Sequence, residues 1–281
     1  MCLLNRFYIN DCKSRACVPT AKPEILKESP ATAWVDGNHA LGSTVGNFCM
    51  KIAIKKAKEC GVGWVSAKQC THFGMAGYWT QQAAQKGLIG LSFSNSFPIM
   101  VPSRAKNALG SNPLSVAVPA CGGDKIVVDM ATTTVALGKA FRTTALVPLG
   151  GAEETSGHKG YCLAAIVEIF CSGLSGSNMS HLIIPWKKAS GEQRMNLGQC
   201  FAAIDPDCFS PGFMERIADC LCTWRNLEPI DPSLPVLAPG DKEIKTRKET
   251  LARGSVTYNH KQIENLNALA KRIGVKPLQI Q

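Results

Sequence analysis

Between residues 47 and 129 the chain alternates amphipathic and strand-like segments punctuated by glycine, and this rhythm limits the fold more than any other feature. It predicts a helix over 47–60, with Gly61 ending it in a left-handed conformation. A strand over 62–66 follows, then a helix over 76–86 stopped by Gly87, and a strand over 88–94. Residues 116–119 and 126–129 read as two more short strands, split by the turn Cys121-Gly122-Gly123-Asp124. Helices alternating with strands imply an α/β layer structure around a substantially buried sheet.

Downstream, the glycine-rich loop from Gly150 to Gly157 feeds an apolar helix beginning near Lys159. The apolar stretch 161–174 contains Glu168 and falls short of the ~20 residues that a membrane span needs, so it reads as a buried helix. Residues 200–204 form a strand ending at Asp205-Pro206. Ser210 and Pro211 supply an N-cap and a proline at the first helical position, opening a helix to about Arg225. The proline-rich segment 228–240 reads as an extended crossing, and a last helix runs from near Asn259 to Gly274.

The 281 residues include 13 scattered cysteines, without a Cys-x-x-Cys pair or the Cys/His spacing of a zinc site. This usage predicts free thiols in a reducing cytosol, and the start of the chain carries no signal-peptide pattern, so a cytoplasmic location is expected. The net charge of +10 raises the question of nucleic acid. Its distribution answers against it. Lys51, Lys55, Lys56 and Lys58 form the solvated side of a helix, while the basic residues of 242–248 alternate with acids, and no nucleic-acid-binding motif accompanies either group.

The motifs are individually modest. His72, in Thr71-His72-Phe73-Gly74-Met75-Ala76-Gly77-Tyr78, follows a strand and precedes a helix, and an imidazole there can exchange a proton near neutrality. A loop or core histidine is the plainer interpretation. Gly61-Val62-Gly63 sits in the wrong order for a dinucleotide fingerprint, since it follows a helix and precedes a strand, which disfavours a Rossmann domain. The loop 151–159 lacks the spacing of a P-loop, yet Lys159 at a helix start suits an anion. Asp129-Met130-Ala131-Thr132-Thr133 puts an acid and two hydroxyls at a strand end, as a ligand site or as a capping turn. No Gly-x-Ser-x-Gly elbow supports serine hydrolysis.

In combination these blocks follow one order: Val35-Asp36-Gly37, Thr71-His72-Phe73-Gly74, Asn95-Ser96-Phe97-Pro98, Leu109-Gly110-Ser111-Asn112-Pro113 and Asp129-Met130-Ala131-Thr132. Pro148-Leu149-Gly150-Gly151, Lys159-Gly160-Tyr161, Asn196-Leu197-Gly198-Gln199 and Pro239-Gly240-Asp241 complete it. The series resembles the type-2 malate/L-lactate dehydrogenase family. That resemblance implies an α/β, non-Rossmann fold, a mixed sheet flanked by helices, with a helical part built from both chain ends. It divides the chain into an N-terminal segment 1–45, a cofactor-binding core 46–205, and a C-terminal helical part 206–281 packing back on the first. It further implies a homodimer and hydride exchange between NAD or NADP and a small 2-hydroxy or 2-oxo acid, with neither nucleic acid nor membrane as partner. By the same resemblance His72 takes the proton, Arg6 clamps the substrate carboxylate, and Ser96, Met130, Ala131, Thr132, Lys159, Gly240 and Asp241 contact the cofactor.

Two departures from the family pattern qualify the expectation. The N-terminal Ser-His-Gly-x-x-Arg motif keeps only Arg6, its Ser and His falling on Met1 and Cys2. The long connection before Pro148-Leu149-Gly150-Gly151 is reduced to 140–147. An impaired homologue that binds cofactor or a partner subunit without turnover is therefore the alternative.

Overall fold

The computed structural model describes residues 2–101, 106–135 and 146–279, with the side chains of 2–6 outside that description. Seven strands make one mixed sheet: β1 (Glu24–Glu28), β2 (Thr32–Asp36), β3 (Val62–Cys70), β4 (Ile89–Ser94), β5 (Leu114–Pro119), β6 (Lys125–Met130) and β7 (Leu197–Ile204). Their order is β1-β2-β3-β7-β4-β5-β6, and only β2 and β3 run parallel. The last strand in the chain thus lies at the centre, hydrogen-bonded to β3 on one side and β4 on the other.

Position dictates composition here. β7 is buried along nearly its whole length and, Gln199 apart, carries small or apolar residues on both faces, as a central strand must. Phe201 and Ala203 point into a core shared with Val35, Val65, Ala67 and residues of α2 (Gly42–Cys60) and α3 (Ala76–Ala84). Cys200 points the other way, toward Phe93, Val167 and Cys171. That second face is covered by α4 (Gly157–Glu168), which continues through a wider π-helical turn, Ile169–Gly173. Helices and strands approach closely at two glycines: a Cβ on Gly63 would overlap the Ala53 carbonyl, and one on Gly90 the Thr80 carbonyl.

The remaining helices are α1 (Cys2–Lys13), α5 (Phe213–Arg225), α6 (Asp241–Arg253) and α7 (His260–Ile273). Tyr8 and Ile9 of α1 share an apolar groove with Leu266, Leu269, Ala270 and Ile273 of α7, so the two chain ends meet. Among the described residues no helix is long and apolar enough to cross a membrane.

Several local expectations shift. The helix predicted over 47–60 begins at Gly42, where the Thr71 hydroxyl accepts the Gly42 N–H at 2.8 Å, a cap supplied from 29 residues away. Gly61 does end it at φ 88°. α5 starts at Phe213 after a left-handed Gly212, so Ser210 and Pro211 do not cap it; their carbonyls instead accept from the Arg216 guanidinium. The 161–174 stretch is not wholly buried, because Ile166, Ile169 and Leu174 are exposed. Lys56 leaves the solvated side of its helix: it is 7% exposed, and its ammonium meets the Ser29 carbonyl and the Glu28 carboxylate. The 140–147 connection falls largely outside the described residues.

Candidate functional site

His72 owes its position to its neighbour Thr71. The Thr71 hydroxyl bridges the Gly42 N–H and the Ala40 carbonyl, and its own carbonyl accepts from the Gln199 side chain of β7 at 2.9 Å. A Cβ on Gly42 would overlap the carbonyls of Thr71 and His72, so that helix start must be glycine for the loop to lie where it does. With Thr71 pinned, the imidazole projects toward α1. Tyr8 Oη lies 2.7 Å from His72 Nδ1, and the Gly74 N–H donates to the same nitrogen at 3.3 Å.

Trp186 covers the imidazole with ring centroids 4.9 Å apart and an interplanar angle of 31°. Its indole N–H donates to both Asp11 carboxylate oxygens, at 2.8 and 3.0 Å, and Phe7 packs on its ring. This setting withdraws His72 from water, and burial pushes its pKa down to about 4. The ring is therefore neutral at physiological pH. Burial pushes Asp11 up, opposed by the Trp186 hydrogen bond. Beyond Gly74, whose φ is 91°, a Cβ would meet nothing within 4 Å, so space lies open beside the imidazole loop.

The end of β6 reaches the same loop from the far side. A Cβ on Gly77 would come within 2.6 Å of Asp129 Oδ2, so that carboxylate lies against the first turn of α3, the helix that His72 precedes. Burial raises its pKa, against the opposing effect of the Gly77 backbone. The Asp129 carboxylate is thus directed at an earlier helix, while Met130, Ala131 and Thr132 follow it at the end of β6.

Ser96, Thr132 and the start of α4 are tied together by a relay of hydrogen bonds through Ser111 and Leu149, with Met130 and Ala131 next to Thr132 and Lys159 next to Gly160 in the chain. Thr132, fully buried, gives both its N–H and hydroxyl to the Ser111 carbonyl, and the Ser111 N–H donates to Ser96 Oγ at 3.1 Å. Leu149 N–H bonds the Thr132 carbonyl, and Gly160 N–H bonds the Leu149 carbonyl. Lys159 is exposed in the first turn of α4, behind Gly150 and Gly151, both with positive φ. The Thr132 N–H and hydroxyl are spent on Ser111, and the groups that suit an anionic dinucleotide are the Ser96 hydroxyl and the Lys159 ammonium at a helix start.

Gly240 and Asp241 stand about 10 Å farther along, judged by strand rise from Met130 to Val127. Val127 N–H donates to the Pro239 carbonyl at 3.0 Å, and Gly240, with φ 99°, packs on Val127. The Asp241 carboxylate is taken up by Arg225 and by the Ala238 N–H. Arg225 also grips Asp124 in the β5–β6 turn. Its guanidinium hydrogen bonds hold both carboxyls below the usual carboxylate range. Arg225→Ala is expected to cost on the order of 1 kcal/mol at neutral pH, since the cluster is about a third exposed. Carboxylates with lowered folded pKa values stabilise above their unfolded pKa near ~4 and lose that contribution as pH falls through the folded values. The gap between variant and wild type should accordingly close in acid, as thermal unfolding at neutral and low pH will read. An equal gap in acid would mean that Arg225 acts through packing alone.

Arg6 belongs to α1, and its side chain lies outside the described residues. Three residues that sequence reading did not single out shape the site. Tyr8 and Trp186 enclose the imidazole from 64 residues before and 114 after it. Glu168, 6% exposed, accepts from Asn95 Nδ2, Asn112 Nδ2 and the Ser180 N–H, with Ser180 Oγ 2.6 Å from Oε2. It braces the loops that carry Ser96 and Ser111. The one available signal was an acid inside an apolar helix beside two asparagine-containing turns. Among the described residues no cluster of His, Cys, Asp or Glu is arranged to hold a metal ion.

Comparison with known proteins places this geometry. The profile of the malate/L-lactate dehydrogenase family matches residues 3–145 and 139–267. The chain is 34% identical to malate dehydrogenase of Pyrococcus horikoshii over 291 aligned residues, covering 92% of this chain and 79% of that one. It is 31% identical to L-sulfolactate dehydrogenase of Methanocaldococcus jannaschii, covering 95% and 83%. The solved structure of the Pyrococcus horikoshii malate dehydrogenase superposes with a TM-score of 0.89 over 97% of this chain and 83% of that chain.

Proposed function

Because this chain belongs to the malate/L-lactate dehydrogenase family and is thereby an oxidoreductase, we propose that it moves a hydride reversibly between NAD or NADP and a small 2-hydroxy or 2-oxo acid. The observation that carries this reading is the neutral His72 imidazole, with Nδ1 committed to Tyr8 and Gly74 and open space beside its loop. A bound nicotinamide ring supplies the hydride exchange. The chain's own residues do the rest. His72 moves the proton of the substrate oxygen, and Arg6 anchors the substrate carboxylate by a bidentate pair. Ser96, Lys159 and the Met130-Ala131-Thr132 turn hold the cofactor. Gly240 and Asp241 present their turn to it through the main chain, the Asp241 carboxylate being engaged by Arg225.

We further place the enzyme in the cytosol as a homodimer. Ile166, Ile169 and Leu174, three large apolar side chains left exposed within nine residues of the α4 region, support a partner subunit.

A panel of malate, lactate and sulfolactate with each cofactor, followed by nicotinamide absorbance, tests the proposal. Turnover of at least one pair is expected. Calorimetric binding of NADH or NADPH without any turnover would favour the impaired homologue instead, and neither binding nor turnover in a folded protein would overturn the reading.

A further inference from the structure

The bonds at His72 determine where its proton sits. Nδ1 is reached by the Gly74 N–H at 3.3 Å and by Tyr8 Oη at 2.7 Å. An amide N–H only donates, so Nδ1 is an acceptor, and the phenol hydrogen is free to rotate into the second donor position. A neutral imidazole with an accepting Nδ1 carries its hydrogen on Nε2. Nε2 makes no hydrogen bond to the described residues and is not among their sealed, unpartnered polar atoms. The second ring nitrogen, Nε2, is therefore an N–H donor in the resting site.

We propose that Tyr8 is a positioning residue for the dehydrogenase reaction, holding His72 in the Nε2–H tautomer so that the resting site is set to receive the carbonyl oxygen of a 2-oxo acid. This rests on the acid–base role of His72 given above. In the reductive direction the carbonyl carbon accepts hydride and the C=O π bond breaks. The oxygen takes the Nε2 proton while Nδ1 takes the phenolic proton of Tyr8, and the site resets when Nε2 takes a proton from water and Nδ1 returns its proton to the phenolate. The sum is carbonyl plus hydride plus one solvent proton giving the alcohol, without an imidazolium. Burial, helped by the Asp11 charge, raises the Tyr8 pKa, so the phenol remains protonated between turnovers. Burial likewise disfavours imidazolium at His72.

Long-range proton–nitrogen correlation spectra of uniformly ¹⁵N-labelled wild-type protein and Tyr8→Phe, paired with reduction kinetics on pyruvate or oxaloacetate, decide the matter. Wild type should carry its His72 proton on Nε2. Tyr8→Phe leaves Nδ1 only the longer 3.3 Å Gly74 donor, and should therefore raise the share of the Nδ1–H form and lower the reductive kcat ~10-fold, with KM moving much less, as expected for loss of one well-placed hydrogen bond. A wild-type proton on Nδ1, or a Tyr8→Phe protein with unchanged tautomer or unchanged kcat, overturns the proposal. Should Tyr8→Phe fail to fold, the wild-type tautomer alone decides. His72→Asn separates the two levels. Full turnover in that variant removes the acid–base role itself, whereas an inactive His72→Asn beside a fully active Tyr8→Phe removes only the assignment to Tyr8.

Discussion

His72→Ala is expected to lower kcat by ~10²–10⁴-fold while leaving cofactor affinity close to that of the wild type, the usual range for losing a positioned general acid–base. The loop should survive the change. Its anchors are the Thr71 hydroxyl and carbonyl, which bind Ala40, Gly42 and Gln199 without using the imidazole. What disappears is the group between Tyr8 and Trp186. Steady-state kinetics beside calorimetric titration with NADH separate the two effects. An unchanged rate would take His72 out of the chemistry, and an equal loss in cofactor affinity would show that the ring mainly supports the fold.

Glu168→Leu is expected to have the largest effect on stability. The carboxylate lies beneath the loops of Asn95–Ser96 and Ser111–Asn112, where it accepts two side-chain amides and the Ser180 N–H. Asn95 keeps Ser172 and Asn178 as acceptors, but the Ser180 N–H and one Asn112 amide hydrogen are left without one, at about 1–3 kcal/mol each, not fully additive. A loss on the order of 4 kcal/mol follows, about 10 °C in Tm for a chain of this size. Glu168→Gln keeps one acceptor oxygen and should lose less. Thermal melts of both variants check this, and a Glu168→Leu protein melting within about 2 °C of wild type would show that water or rearrangement replaces the carboxylate.

The legible parts of this fold are those whose signals are local. Asn259 and Gly274 bracket α7 as expected because capping is short-range: Asn259 accepts the Gln262 N–H, the Gln262 side chain returns the bond, and Gly274 takes φ 72°. Gly61 and the Gly122-Gly123 turn are legible for the same reason. β1 is not, since all five of its residues are exposed and no buried face imposes a period of two. α6 escapes likewise. It buries no residue, and its sequence is polar nearly all round, with a Lys245–Glu249 pair along its side. At the site, His72 and the Met130-Ala131-Thr132 turn stand out as motifs, whereas Tyr8, Trp186 and Glu168 act only through partners brought close by the finished fold. A tyrosine among apolar neighbours carries no mark of the imidazole it will meet 64 residues later.

The central place of β7 has a consequence for how the molecule is made. In the finished sheet β7 alone joins β1-β2-β3 to β4-β5-β6, so until residues 197–204 leave the ribosome β3 and β4 each lack the neighbour that will cover one edge. Zipping that strand into both edges joins segments more than a hundred residues apart, a slow, high-contact-order step during which the bare edges invite pairing with other chains. Nascent chains stopped before Leu197 should therefore aggregate or recruit chaperones, and release just beyond Ile204 should mark the onset of protease resistance.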